Sequence, residues 1–368
     1  MVMTAIVLTA GQGMTAEVPA RKYIVRPGDT LWDICGREYG DCTVWPRILS
    51  ANPGLADPHL IVPGRTIVLP TLSGVVTVPA TAPVLQEPVA PSAAPAERGP
   101  FTVRLLFTNN SNGKLVFCNC PNDPFGGLAE RVAFIREYRA ANDNVLLVDS
   151  GGYLGLSPAK EKARMVMTLM GQMGYDAVGV GDQELFNSLK TYLDISSGSS
   201  DMLVNAVILD SSGAPVFAPY RIVTVNGIKL ALVGIASEND TFRFFPDDKR
   251  DFRVADLDSI LARLLPELQE TADAVVLLSQ LGANGDRAFA ERTGGIDLIV
   301  GGHSQTLIEK AERVNGAMIV QAGKGGGRVG EVVMTFGDDH RLEGMTYRLY
   351  EIDIERYPIP GDILTMIE

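Results

Sequence analysis

Five segments of the chain share one pattern, a short apolar run that stops abruptly in Gly, Asn, Asp, Gln or His. They are RLLFTNNSNG (104–113), NVLLVDSGG (144–152), DAVGVGDQE (176–184), DAVVLLSQLG (273–282) and DLIVGGHSQ (297–305). A continuous apolar run, rather than an alternating one, predicts a strand buried on both faces, as in parallel α/β sheets. Ligands in such sheets sit beyond the C-terminal strand ends, so the five polar endings are predicted to converge on one pocket. Helical stripes fall between the runs. GLAERVAFIREYRAAN has apolar residues at 128, 132 and 135, KARMVMTLMGQMGY precedes the third run, and a helix at 255–271 leads into DAVVLLSQ. PYRIVTVNGIKLALVGI predicts a hairpin turning on Asn226-Gly227. The whole predicts an α/β sandwich from Phe101 onward.

The pattern of residues 22–70 is different and shorter. YIVRPGDT is a strand that turns at Pro27-Gly28, and Asp29 or Thr30 can cap the helix begun by LWDICGREYG. TVWPRILSAN is a second helix ending at Asn52-Pro53, and LIVPGRTIVLP returns as a strand, giving the order βααβ. Trp32 and Trp45 each begin a helical apolar stripe and are expected as core anchors. Cys35 and Cys42 lie where a disulfide would staple the two helices of a small core; the alternative is two buried thiols. Residues 71–100 turn to Pro, Ala, Val and Ser, with prolines at 79, 83, 88, 91, 95 and 100. That composition predicts an extended linker reaching about 90 Å in polyproline form.

Composition narrows the function classes. A net charge of -12 argues against nucleic acid as the main partner. No run of about 20 apolar residues exists to span a membrane. Residues 1–21 combine a short apolar stretch with small residues near Ala16 and Ala20, and are expected as an export-signal remnant or a disordered tail. Two close cysteine pairs, Cys35 with Cys42 and Cys118 with Cys120, suit an exported, periplasmic or cell-envelope location.

The first unit resembles a LysM module in YxVxxGDTLWDI, in ANP after the second helix, and in the closing LIxPGxxIxLP. LysM modules bind N-acetylglucosamine-containing glycans, chiefly peptidoglycan or chitin, between the GDT loop and the loop before the last strand. The resemblance implies a glycan site at Gly28, Asp29, Thr30 and Leu31 with Asn52, Pro53, Leu60 and Ile61. A purely structural part in the turns is equally open for Gly28, Asn52 and Pro53.

From Phe101 to about Asp353 the order and flanks of the strand ends resemble the catalytic domain of the 5'-nucleotidase branch of calcineurin-like metallophosphoesterases. Its five strand ends read TNDxHG, GD, GNHE, SHxG and GGHSH, and their Asp, His and Asn side chains hold two metal ions. This chain keeps the frames and loses the ligands. The Asp and His of the first motif fall on Asn110 and Asn112, and the bridging Asp on Gly152. The Asn and catalytic His of the third fall on Asp182 and Gln183, and the last two motifs give Gln280, His303 and Gln305. Of these positions only His303 keeps the family identity. Two-metal chemistry needs several anionic or imidazole ligands, and the entire chain has three histidines, His59, His303 and His340. The family also carries a further C-terminal domain that holds the nucleotide base, which the sequence to Glu368 is not expected to contain.

Three weaker features remain. Cys118-Asn119-Cys120 follows the first pocket loop and could be a disulfide, buried thiols pinning the loop, a redox couple or half of a soft-metal site. GKGGGRVG (323–330) lacks the ending of a P-loop, and a tight turn is favoured over an anion cradle. Asp149, Asp182, Glu184 and His303 could together collect one hard divalent cation, although no cofactor is the favoured expectation. The expected architecture is therefore α/β: a small βααβ LysM module, a linker, and a four-layer α/β/β/α metallophosphoesterase-like sandwich over 101–368. The expected function is an exported, non-catalytic peptidoglycan-binding protein whose second domain is a binding or scaffold module, with an envelope protein as a further possible partner. The alternatives are a hydrolase with a rebuilt single-metal site and a thiol redox protein using Cys118 and Cys120.

Overall fold

The computed structural model describes residues 21–26, 31–39, 45–53, 55, 64–71, 101–117, 125–156, 158–245 and 250–367. The chain divides into two compact units, 1–85 and 86–368.

In the first unit, β1 (Arg21–Ile24) is followed by α1 (Leu31–Tyr39), α2 (Trp45–Ser50) and β2 (Thr66–Leu69). β1 and β2 pair antiparallel, Tyr23 opposite Ile67. Alternation along β1 turns Tyr23 and, just beyond it, Val25 into a core with Leu31, Ile34, Cys35, Ile48 and Ile67, while Lys22 and Ile24 face solvent. This is the βααβ order expected. Cys35 is fully buried. Cys42, Cys118, Cys120, the linker residues 72–100 and residues 1–20 lie outside the described residues.

The second unit opens with β3 (Phe101–Thr108), α3 (Leu128–Ala141), β4 (Val145–Asp149), α4 (Lys160–Met173) and β5 (Ala177–Gly179). Two short helices, α5 (Asp182–Leu185) and α6 (Leu189–Ser196), lead to the short strands β6 (Leu203–Val204) and β7 (Ile208–Leu209). The hairpin β8 (Tyr220–Val225) and β9 (Ile228–Ile235) follows, with Asn226 and Gly227 both left-handed at its turn (φ 51° and 82°). Next come β10 (Arg253–Val254), α7 (Leu257–Thr271), β11 (Ala274–Ser279), α8 (Gly282–Arg292), β12 (Leu298–Gly301), β13 (Glu312–Val314) and β14 (Ala317–Val320). The unit closes with β15 (Arg328–Phe336), β16 (Leu342–Glu351) and α9 (Gly361–Ile367).

Twelve of these strands form two six-stranded sheets, β16-β15-β3-β4-β5-β6 and β13-β14-β12-β11-β9-β8, and β7 pairs with β10 in a small antiparallel sheet of their own. The first is parallel from β3 to β6 and the second from β9 through β11 and β12 to β14, with antiparallel strands at the edges. Alternate residues of each parallel strand serve two cores. Val103, Leu105 and Phe107 of β3 meet Leu230, Leu232, Val276 and Leu278 of the other sheet, whereas Leu106, Leu147, Val275 and Leu277 face the helices. That double burial is why the runs are continuously apolar.

The two sheets come close together where β6 meets β9. A Cβ placed on Gly234 would stand 2.1 Å from the Val204 carbonyl oxygen and 2.5 Å from its carbon. The amide of Ala206 donates to the Gly234 carbonyl at 2.8 Å, holding the crossing in place.

Candidate functional site

The five strand ends do converge, and side-chain amides join them. Gln280, after β11, donates through Nε2 to the Ser150 carbonyl after β4 at 2.8 Å. Ser150 Oγ donates in turn to the Gly301 carbonyl at the end of β12, at 3.0 Å, so both sheets are tied across the floor. The loop after β3 is zipped to the loop after β4 by backbone bonds from Asn110 to Gly151, Asn112 to Gly152 and Gly113 to Tyr153, all 2.8–2.9 Å. This requires left-handed backbone at Asn110 and Asn112 (φ 46° and 52°), which asparagine tolerates well. His303 and Gln305 take the same region (φ 60° and 56°), turning both side chains out of the strand line.

Gly152 has no side chain, and the space beside it is filled from the neighbouring loop. A Cβ there would lie 2.5 Å from Asn110 Nδ2. Asn110 Oδ1 accepts from Asn109 Nδ2 at 3.0 Å, while its own Nδ2 and the Gln280 Oε1 are buried without a hydrogen-bond partner. At the mouth, Asn112 Oδ1 accepts from two amides, Gln183 Nε2 at 3.1 Å and Gln305 Nε2 at 3.2 Å. Gln183 Oε1 accepts the Gly155 amide at 3.1 Å, and His303 Nδ1 lies 3.4 Å from Asp182 Oδ1. All eight pocket residues named from the sequence are thus brought together, linked mainly by neutral hydrogen bonds.

The four groups expected to collect one cation do not converge. Glu184 is buried and spends its carboxylate on the amides of Gly181, Gly152, Tyr153 and Leu154 (2.9–3.3 Å), clamping two strand-end loops together. Asp149 accepts from Thr108 Oγ1 (2.5 Å) and the Gly151 amide (2.7 Å). Only Asp182 and His303 remain side by side. Among the described residues, no group of three or more His, Cys, Asp or Glu could hold a metal ion. Burial dominates the titration of the acids: it raises Asp149 to about 6 and Glu184 to about 7, against the opposing pull of their hydrogen bonds. Asp286 of α8, whose Oδ1 accepts from Ser279 Oγ and whose Oδ2 has no partner, is likewise raised to about 7 by burial.

The glycine stretch 323–326 forms the turn expected, with Gly323, Gly325 and Gly326 at positive φ. Gly325 donates to the Asn110 carbonyl at 2.8 Å, and Asn109 bridges the turn through Gly323 O and the Ala322 amide. Beneath it lies a group the sequence reading missed. Arg131 of α3 is completely buried and donates to Tyr175 OH (3.0 Å), Ser111 Oγ (2.8 Å) and Gly326 O (3.0 Å). Its signal was present: 131 is three residues after Leu128 and four before Ile135, inside the apolar stripe of that helix.

Of the glycan-site residues, Leu31, Asn52 and Pro53 are described, whereas Gly28, Asp29, Thr30, Leu60 and Ile61 are not. Leu31 is buried in the module core. Asn52 donates to the carbonyls of Ile48 (2.6 Å) and Val68 (2.8 Å) and accepts the Val68 amide (2.7 Å), so it ties α2 to β2. Pro53 is exposed. Asn52→Ala would leave three backbone groups unpaired and is expected to cost about 2 kcal/mol, a large share of what so small a core supplies. A lowered thermal transition of the module, read by circular dichroism, would check it.

Comparison with known proteins agrees with this architecture. Residues 23–70 match the LysM domain family model. Elsewhere the chain is similar to snake venom 5'-nucleotidase of Gloydius brevicauda, at 29% identity over 232 residues, covering 57% of this chain and 38% of the relative. The fold is shared with the 5'-nucleotidase precursor from Thermus thermophilus, at TM-score 0.65 and 24% identity, covering 73% of this chain and 58% of the other. It is shared too with the calcineurin-like phosphoesterase YfkN from Bacillus subtilis, at TM-score 0.59 and 22% identity, covering 72% and 95%. The chain therefore spans about two fifths of the length of the snake venom 5'-nucleotidases it matches.

Proposed function

We propose that this chain, a LysM domain followed by a 5'-nucleotidase-like phosphoesterase domain, is an exported cell-wall protein whose second domain binds rather than hydrolyses. The LysM domain holds it on peptidoglycan or a related N-acetylglucosamine glycan. The single observation that carries the rest is the Asn110 amide filling the space where a side chain on Gly152 would project. In the family pattern that side chain is the carboxylate bridging two metals. Around it, Asn112, Gln183, Gln280 and Gln305 are neutral amides, and Gln183 and Gln305 both donate to Asn112 Oδ1. Amide oxygens neutralise no charge, so these residues do not fit a pair of dications. The reading is therefore that hydrogen bonding replaced ionic cross-linking and kept the strand ends assembled.

No helix among the described residues is long and apolar enough to cross a membrane. Attachment through glycan is consistent with that and with an envelope location. An envelope protein or a small polar ligand at the amide pocket would complete the role.

Metal content of the purified full chain tests the second half of the proposal. After exposure to zinc, manganese, magnesium and calcium and then desalting, elemental mass spectrometry is expected to find well under one metal per chain. About two metals per chain, with nucleotide or phosphodiester hydrolysis, would overturn it. Sedimentation with peptidoglycan tests the first half, and failure to co-sediment would remove the anchoring claim alone.

A further inference from the structure

The two large sheets end on four edge strands, and one of these is unlike the others. β6, β8 and β13 have two, six and three residues, whereas β16 runs for ten. Among the described residues, no strand pairs with its outer side. Long edges are usually blunted by Lys, Pro or a bulge, because their free amides and carbonyls invite another strand. β16 has neither Lys nor Pro, and its one irregularity, opposite Thr335 and Phe336, lies at its first residues.

Which groups of β16 point outward follows from its bonds to β15. Ile352 continues the register opposite Gly327 and donates to its carbonyl at 2.9 Å, so residues 350, 348, 346 and 344 bond inward as well. The amides and carbonyls of Met345, Tyr347 and Leu349 therefore face out. Their side chains are half-buried against the core between the two sheets, while Thr346 and Arg348 are exposed on the other face.

We propose that β16 pairs antiparallel with β16 of a second copy of this chain, on a two-fold axis at Thr346. Centred there, Met345 exchanges hydrogen bonds with Tyr347 of the copy, apolar side chains meet apolar ones, and Thr346 faces Thr346. Arg348 lies opposite Gly344, whose Cβ position has no atom within 4 Å. Glu351, bonded to Arg328 at 2.9 Å, falls near Arg341, an exposed guanidinium 3.4 Å from Asp339. Other axes set like charges together: Tyr347 puts Glu351 against Glu343, Met345 puts it near Asp339, and Arg348 faces itself if the axis is there. Charge complementarity thus selects one register, and the strand supplies both halves of it. Two ten-residue edges bury less than the about 1,200 Å² of a standard interface, so the dimer is expected to be weak, with Kd about 10–100 µM. This goes beyond the glycan-binding reading and does not depend on it.

The test is the weight-average mass of the purified full chain, by sedimentation equilibrium from about 1 to 300 µM. Wild type is expected to rise from one chain mass toward two. T346K and T346E each put like charges on the axis and, with unchanged thermal transitions, should weaken association about five- to tenfold. An equal mixture of the two should recover it, since Lys then meets Glu across the axis. A wild type that stays monomeric throughout would overturn the proposal, and so would a dimer that neither variant weakens or a mixture that fails to recover. Should either variant be unstable, hydrogen exchange on wild type decides the matter. The amides of Met345, Tyr347 and Leu349 are expected to exchange more slowly as concentration rises, and exchange independent of concentration would overturn the pairing. Each of these failures would leave the LysM anchoring and the reading of the amide pocket intact.

Discussion

Gly234→Ala is expected to destabilise the large domain by about 3 kcal/mol, at the upper end of the range for overpacking. The added methyl would stand 2.1 Å from the Val204 carbonyl oxygen, and the obstacle is backbone rather than the tip of a flexible side chain. Relief would require β6 and β9 to move apart where the two sheets come close together. That would loosen the Ala206-to-Gly234 hydrogen bond and the packing of Val204 against Leu232 and its neighbours. For a domain of this size the thermal transition should fall by roughly 6–12 °C in scanning calorimetry. A shift under about 2 °C would mean that the crossing yields easily and that the glycine is incidental.

The second large effect concerns pH. Asp149, Glu184 and Asp286 are each raised by burial, to about 6, 7 and 7, against ordinary values of 3.8, 4.5 and 3.8. The folded domain therefore holds protons that the unfolded chain has released. A raised carboxyl contributes stability below its unfolded value and loses it as pH rises through its folded value. Between pH 5 and pH 8 the three together are expected to remove on the order of 5 kcal/mol. Below about pH 4 the trend reverses, because Glu312, held low by its two bonds from Arg287, must then be protonated. Thermal transitions measured from about pH 3 to 9 should peak near pH 4. Asp286→Asn should flatten the alkaline side, since the amide keeps an acceptor for Ser279 and cannot ionise. A transition that rises steadily from pH 5 to 8 would contradict the account.

Much of the fold was legible because strand burial leaves a plain record. The runs ending at Thr108, Asp149, Gly179, Ser279 and Gly301 became the strands that meet at the site, and Asn226-Gly227 became the hairpin turn. The site residues were found by their place after those strands, but their bonding was not. Nothing in the sequence says that Gln183 and Gln305 share the Asn112 oxygen, because the three come from different loops and one comes from the other sheet. The acids were misjudged for a related reason. Asp149 and Glu184 look like ligands when only their proximity to the pocket is known, yet both are committed to local backbone amides. Gly234 sits inside an apolar run whose neighbours explain it completely, and only the approach of the other sheet gives it a purpose.

The Asn110 amide beside Gly152 also sets which substitutions the pocket accepts. Introducing an aspartate at 152 by itself would place its Cβ 2.5 Å from Asn110 Nδ2, in space already taken. An aspartate at 110 by itself would still accept from Asn109 Nδ2, but it would bury a carboxylate with no cation beside it. Each acid alone is thus unfavourable while the other position is unchanged. The pocket is in this sense interlocked: the residues at 110 and 152 can take on charge usefully only as a pair.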